Sequence, residues 1–106
     1  MKTKTALPIP PHAIKNGKTF LAKFIGPTNT RGPRVKISFE SPSSKDYPTL
    51  TVSWDYEASQ ETYTLAFLNY LARHEAFYFD RQENERFEIV KSYTPQGYYF
   101  TASVVR

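Results

Sequence analysis

From Arg34 to Glu40 the chain alternates with a period of two. Val35, Ile37 and Phe39 fall on one side, and Arg34, Lys36, Ser38 and Glu40 on the other. Successive side chains of a strand point to opposite faces, so this alternation predicts a half-buried strand. Leu50 to Asp55 repeats the pattern, with Leu50, Val52 and Trp54 inward and Thr51, Ser53 and Asp55 outward. Thr19 to Ile25 reads TFLAKFI, apolar on both sides apart from Lys23, which suits a strand in the middle of a sheet.

The period then changes to that of a helix. Tyr63, Ala66, Phe67, Tyr70, Leu71 and His74 share one face, and Leu65, Leu68 and Ala72 widen it. Ser59 is the expected N-cap, with Gln60 and Glu61 in the first turn. The helix ends near His74 without a glycine cap, and Phe77-Tyr78-Phe79 either starts another strand or finishes a distorted last turn. Arg86–Tyr93 and Tyr98–Val105 form a hairpin joined by Thr94-Pro95-Gln96-Gly97, whose proline second and glycine fourth suit a type I turn.

The order β-β-β-α-(β)-β-β predicts an α+β fold, an antiparallel sheet of about five strands with one helix packed on one face. In it Tyr63, Phe67, Tyr70 and Leu71 are buried against Val35, Ile37, Val52 and Trp54. Residues 1–17 read as a flexible basic arm. Leu7-Pro8-Ile9-Pro10-Pro11 favours extended polyproline geometry, and Asn16-Gly17 is a turn signal, so a single domain is expected over 18–106.

Composition narrows the class of protein. A chain of 106 residues suits one domain, and with no cysteine there is neither a disulfide framework nor a thiolate metal site. No apolar run approaches the ~20 residues of a membrane span. Prolines interrupt the basic N-terminus where a signal peptide is continuously apolar, so a cytoplasmic protein is expected. Charge is the most informative property. Eight of the fourteen Lys and Arg lie in residues 1–39, which hold no acid; the remaining six face all ten carboxylates, giving +8 and −4. An acidic partner for the N-terminal portion is the implied reading; its rival is a domain whose opposite charges meet in its own fold or in a head-to-tail oligomer.

Candidate chemistry is sparse. His12 sits in the proline-rich arm and His74 at the helix end, neither beside a recognisable nucleophile, and His74-Glu75 with Asp80 lacks metal-ligand spacing. No enzyme activity, cofactor or metal is expected. The loop GPTNTRGP, Gly26 to Pro33, is the best functional candidate. Its glycines permit close backbone approach, Thr28 and Asn29 offer polar groups, and Arg31 can grip a phosphate. A plain turn between strands, steadied by Asn29 on its own backbone, is the alternative. Lys23 shares the outer face with Arg34 and Lys36 if the flanking strands pair, and Lys15 and Lys18 enter from the same end of the chain. Tyr99 is the outward aromatic if Phe100, Ala102 and Val104 face the helix, although Tyr98 and Val105 leave the opposite parity open.

The stretch Phe24-Ile25-Gly26-Pro27-Thr28-Asn29-Thr30-Arg31-Gly32-Pro33-Arg34 resembles a GPTNxRGxR-like segment of small proteins from bacterial phages and mobile elements. Trp54-Asp55-Tyr56 at a strand end and Gly97-Tyr98-Tyr99-Phe100 also look similar. The resemblance implies an origin of that kind and carries no activity. Cations beside exposed aromatics on a sheet favour a small non-enzymatic binder of single-stranded DNA or RNA. The expected contacts are Lys15, Lys18, Lys23, Thr28, Asn29, Arg31, Arg34, Lys36 and Tyr99. The alternative is a protein-interaction module, for instance a phage-encoded inhibitor of a host or defence protein.

Overall fold

A computed structural model describes residues 8–10, 17–41 and 46–105. Its elements are β1 (Lys18–Ile25), β2 (Arg34–Phe39), β3 (Leu50–Ser53), α1 (Glu61–Tyr78), β4 (Arg86–Thr94) and β5 (Gly97–Val105). The strands form one antiparallel sheet in the order β3-β2-β1-β5-β4. The apolar strand β1 is central, as its two-sided pattern predicted. The fold is therefore α+β, with α1 packed on one face of the sheet.

Register explains which residues form the core. Phe20 stands opposite Phe39 on one side and Phe100 on the other, and Ala22 stands between Ile37 and Tyr98. These residues share the helix-facing side, where Phe20, Ala22, Val35, Ile37, Phe100 and Ala102 are buried beneath Ala66, Phe67, Tyr70 and Leu71. Phe67 lies flat on Phe100 with centroids 4.5 Å apart. Phe20 meets the rings of Phe39, Phe67, Tyr70 and Tyr78 within 5.0–5.6 Å. Each such side chain contributes about 1.5–3 kcal/mol by leaving water, so a few rings supply much of the core. Trp54 is half-buried against Phe24 and Tyr63, in keeping with the inward parity expected of it.

The helix departs from expectation in three ways. Ser59 is not its cap: it has a φ of 52°, and Gln60 takes the N-cap position without a side-chain bond. The preceding turn is instead held by Asp55, whose carboxylate accepts the N–H groups of Glu57 and Ala58, at 3.0 and 3.1 Å. The Thr62 hydroxyl donates to the Asp55 carbonyl at 3.2 Å.

The helix also continues past His74 to Tyr78, because Tyr70, His74 and Tyr78 fall on one face and Tyr78 packs against Phe20 and Phe39. Phe77-Tyr78-Phe79 therefore begins no strand. Its end is tied by Arg81, which forks onto Glu75 at 2.7 and 2.8 Å and donates to the Glu85 carbonyl. Finally, Leu65, Leu68 and Ala72 face outward rather than widening the buried stripe. One sheet face covers only one side of a helix, and that side is filled by Thr62, Ala66, Phe67, Tyr70 and Leu71.

Candidate functional site

Antiparallel pairing brings three connections to one end of the sheet. β1 ends at Ile25 where β2 begins at Arg34; β3 ends at Ser53 beside Arg34; β4 turns into β5 at Thr94–Gly97. The loop Gly26–Pro33, the segment 54–60 and the Pro95-Gln96 turn therefore lie together, next to the start of α1. Connections carried on a rigid sheet are where binding residues concentrate.

The outer face at this end is cationic. Lys23 stands directly opposite Lys36, and Arg34 follows on β2 opposite Ile25 and Ser53. Lys23, Lys36 and Arg31 are exposed, and among the described residues no carboxylate pairs with them. Arg31, Gly32, Arg34, Thr51, Val52 and Ser53 line an open recess of about 270 Å³. Two guanidinium groups beside two hydroxyl-bearing residues form a donor-rich hollow suited to an anion with several oxygens. The Arg34 guanidinium is oriented by donating to the Gly32 carbonyl at 3.1 Å.

The loop is closed by one residue. The Thr28 N–H donates to the Arg31 carbonyl at 2.7 Å, and the Thr28 hydroxyl accepts from the Arg31 N–H at 3.1 Å. Thr28 thus holds the turn that presents Arg31, the structural role the sequence had suggested for Asn29. Asn29 itself is exposed beside it. Gly26 and Gly32 have ordinary backbone conformations, and a Cβ on either would meet nothing within 4 Å. Their open surroundings leave room for a ligand against the backbone.

Tyr99 points outward, beside Leu21 on β1, so the parity left open in the sequence resolves in that sense. The neighbouring Glu40 carboxylate pushes the phenol's pKa up. Lys18 does not join the group. It shares the helix-side parity of Phe20 and lies at the far end of β1, beside a recess formed with Gly17, Tyr78, Phe79, Asp80, Ser103 and Val104. Lys15 and His12 lie outside the described residues. The cations brought together are therefore Lys23, Arg31, Arg34 and Lys36.

On the helix side of the same end, sequence reasoning missed a run of rings. Trp54 meets Phe24 edge-on at 5.4 Å and Tyr63 at 5.5 Å. Tyr63 meets Tyr98 at 4.7 Å, and Tyr98 meets Tyr93 at 5.2 Å. Lys91 crosses from β4 over the Tyr98 ring at 4.6 Å. Phe24, Tyr56 and Tyr93 remain 42%, 76% and 73% exposed. Burial, then the neighbouring Tyr98 and Tyr93, raise the pKa of Tyr63, so it stays neutral. The available signal was positional: Tyr93 sits next to the last residue of β4, and Tyr56 in the turn that follows β3.

No described helix is long and apolar enough to cross a membrane. No protein-family model, curated protein or solved structure matches the chain.

Proposed function

We propose that this protein is a non-enzymatic binder of single-stranded nucleic acid, which tracks the phosphate backbone along Lys23, Lys36, Arg34 and Arg31. One observation carries the reading: Lys23 and Lys36 are cross-strand neighbours with no acid between them. Like charges set directly opposite each other destabilise a sheet. A bound polyanion removes that repulsion, and the recess under Arg31 and Arg34 offers a phosphate the bidentate donors it favours. The two glycines with open space around them allow a strand to lie close to the loop backbone. A sheet face with cations and the outward Tyr99 ring suits a single strand better than a duplex groove, which calls for a protruding helix or ribbon. An origin among phage or mobile-element proteins belongs to this reading through the GPTNTRG segment.

The test is a variant carrying Arg31→Ala, Arg34→Ala and Lys36→Ala together. Outward cations otherwise contribute little to stability and loss of Lys36 relieves its repulsion with Lys23, so its melting temperature should equal or slightly exceed the parent's. Its affinity for a labelled single strand should fall by tenfold or more at low salt, with a shallower dependence on salt. An unchanged affinity would remove the face from consideration. The rival reading, docking of a protein partner, is favoured by Leu65 and Leu68, which stand 51% and 45% exposed on the outer side of α1. It predicts that Leu65→Asp and Leu68→Asp, rather than the cation variant, abolish partner binding.

A further inference from the structure

The ring-lined end of the sheet carries a second recess, of about 410 Å³, lined by Phe24, Pro33, Trp54, Tyr56, Gln60 and Tyr63. Its walls are largely the rings of Phe24, Trp54, Tyr56 and Tyr63, with Gln60 supplying the one side-chain amide beside the two tyrosine hydroxyls. Across Phe24 and Tyr63 it adjoins a further recess of about 350 Å³ that reaches Lys23, Tyr93 and Gln96. That continuation exists because β5 begins at Gly97 and pairs with β1 only as far as Ala22, leaving the β5-facing side of β1 beyond it without a paired strand among the described residues.

The recess is chained to the cationic face residue by residue. Pro33 lines it while Arg34, the next residue, lines the donor-rich recess on the other side of the sheet. Phe24 lines it while Lys23, the preceding residue, stands opposite Lys36 on the outer face. A ligand that needs flat apolar faces and, one sheet thickness away, cationic donors is a nucleotide with its base separated from its phosphate. A plain apolar partner would have no use for the cations, and a bare anion none for the rings. Stacking tolerates any base, because each has a π-face, while an amide beside the ring reads its polar edge.

We infer that the recess bounded by Phe24, Trp54, Tyr56 and Tyr63 receives an unstacked nucleobase whose flanking phosphates lie on Arg31, Arg34 and Lys23. This rests on the nucleic-acid reading above and assigns it a base-binding site distinct from Tyr99. Tyr56 closes the recess as an exposed ring and Gln60 meets the base edge.

Trp54 is the only tryptophan in the chain, so its emission reports the recess directly. The experiment titrates the full chain, at low salt, with a short oligothymidylate and with an abasic strand of the same length. The oligothymidylate should quench Trp54 saturably and bind at least fivefold more tightly than the abasic strand, the low end of what one stacked base contributes. Tyr56→Ala, a change at an exposed position, should bring the two affinities together. Equal binding of both strands with no change in Trp54 emission would overturn the base site while leaving the cationic face intact. Binding of neither strand would overturn both. Quenching by a peptide of residues 5–14, without quenching by either strand, would overturn the base site in favour of a proline-rich occupant.

Discussion

Gly97 and the pair Gly26 and Gly32 look alike in the sequence, each beside a proline or a turn, yet the structure asks different things of them. Gly97 has a φ of 144°, and a Cβ there would stand 2.5 Å from the Ala22 carbonyl oxygen. Gly97→Ala should therefore lower stability by about 2 kcal/mol or more, read as a lower urea midpoint with unchanged slope. Gly26→Ala and Gly32→Ala meet open space and should be neutral or stabilising by up to about 1 kcal/mol, through the unfolded chain. A large loss of stability at Gly26 or Gly32 would mean that the loop conformation described above is wrong. Parity alone separated Arg34 and Lys36 from Val35 and Ile37, because a strand allows only two directions. It did not separate Thr28 from Asn29, since both types close turns and only the fold shows which hydrogen bond forms.

At the scale of elements, α1 was legible in type and face but not in extent. Its buried stripe repeats every three or four residues, whereas its last turn depends on Tyr78 reaching the rings of Phe20 and Phe39, a contact with no local sequence signature. Tyr70 donates its hydroxyl to the Pro48 carbonyl at 2.8 Å and also meets the Tyr78 hydroxyl, joining the helix to the segment before β3. Tyr70→Phe should cost about 1–2 kcal/mol in thermal or chemical denaturation, because the part-buried carbonyl loses its donor. The helix end supplies a pH prediction. The Arg81 guanidinium holds the Glu75 carboxyl below the usual glutamate range. A carboxylate with a lowered folded-state pKa contributes stability above its unfolded value and loses it as pH falls through the folded one. Acidification below the ordinary glutamate range should therefore weaken the tie between α1 and β4, and Glu75→Gln should make the melting temperature less sensitive to acid over that range. Equal acid sensitivity in parent and variant would assign the effect to other carboxylates.

For the whole molecule, the sequence separated charge along the chain, and folding converts part of that separation into a surface. Lys23, Arg31, Arg34 and Lys36 meet at one end of the sheet because β1 and β2 are antiparallel neighbours joined by a single loop, a pairing the pattern made easy to anticipate. Proximity in sequence places Lys18 in the same group, but a strand carries its two ends apart and gives alternate residues to opposite faces. The ring cluster of Phe24, Trp54, Tyr63, Tyr98 and Tyr93 draws on four separate strands or their flanks and the helix, so no window of sequence displays it. Its closeness to the cations is a product of topology. The most direct test of the central claim is fluorescence anisotropy of labelled single-stranded and double-stranded DNA and RNA with the unmodified chain, across a series of salt concentrations. Engagement of the four clustered cations predicts tighter binding to single strands, with log affinity falling against log salt at a slope of about −3, near −0.7 for each phosphate contact. Absence of binding to any of these nucleic acids at low salt, or binding that salt does not weaken, would contradict it.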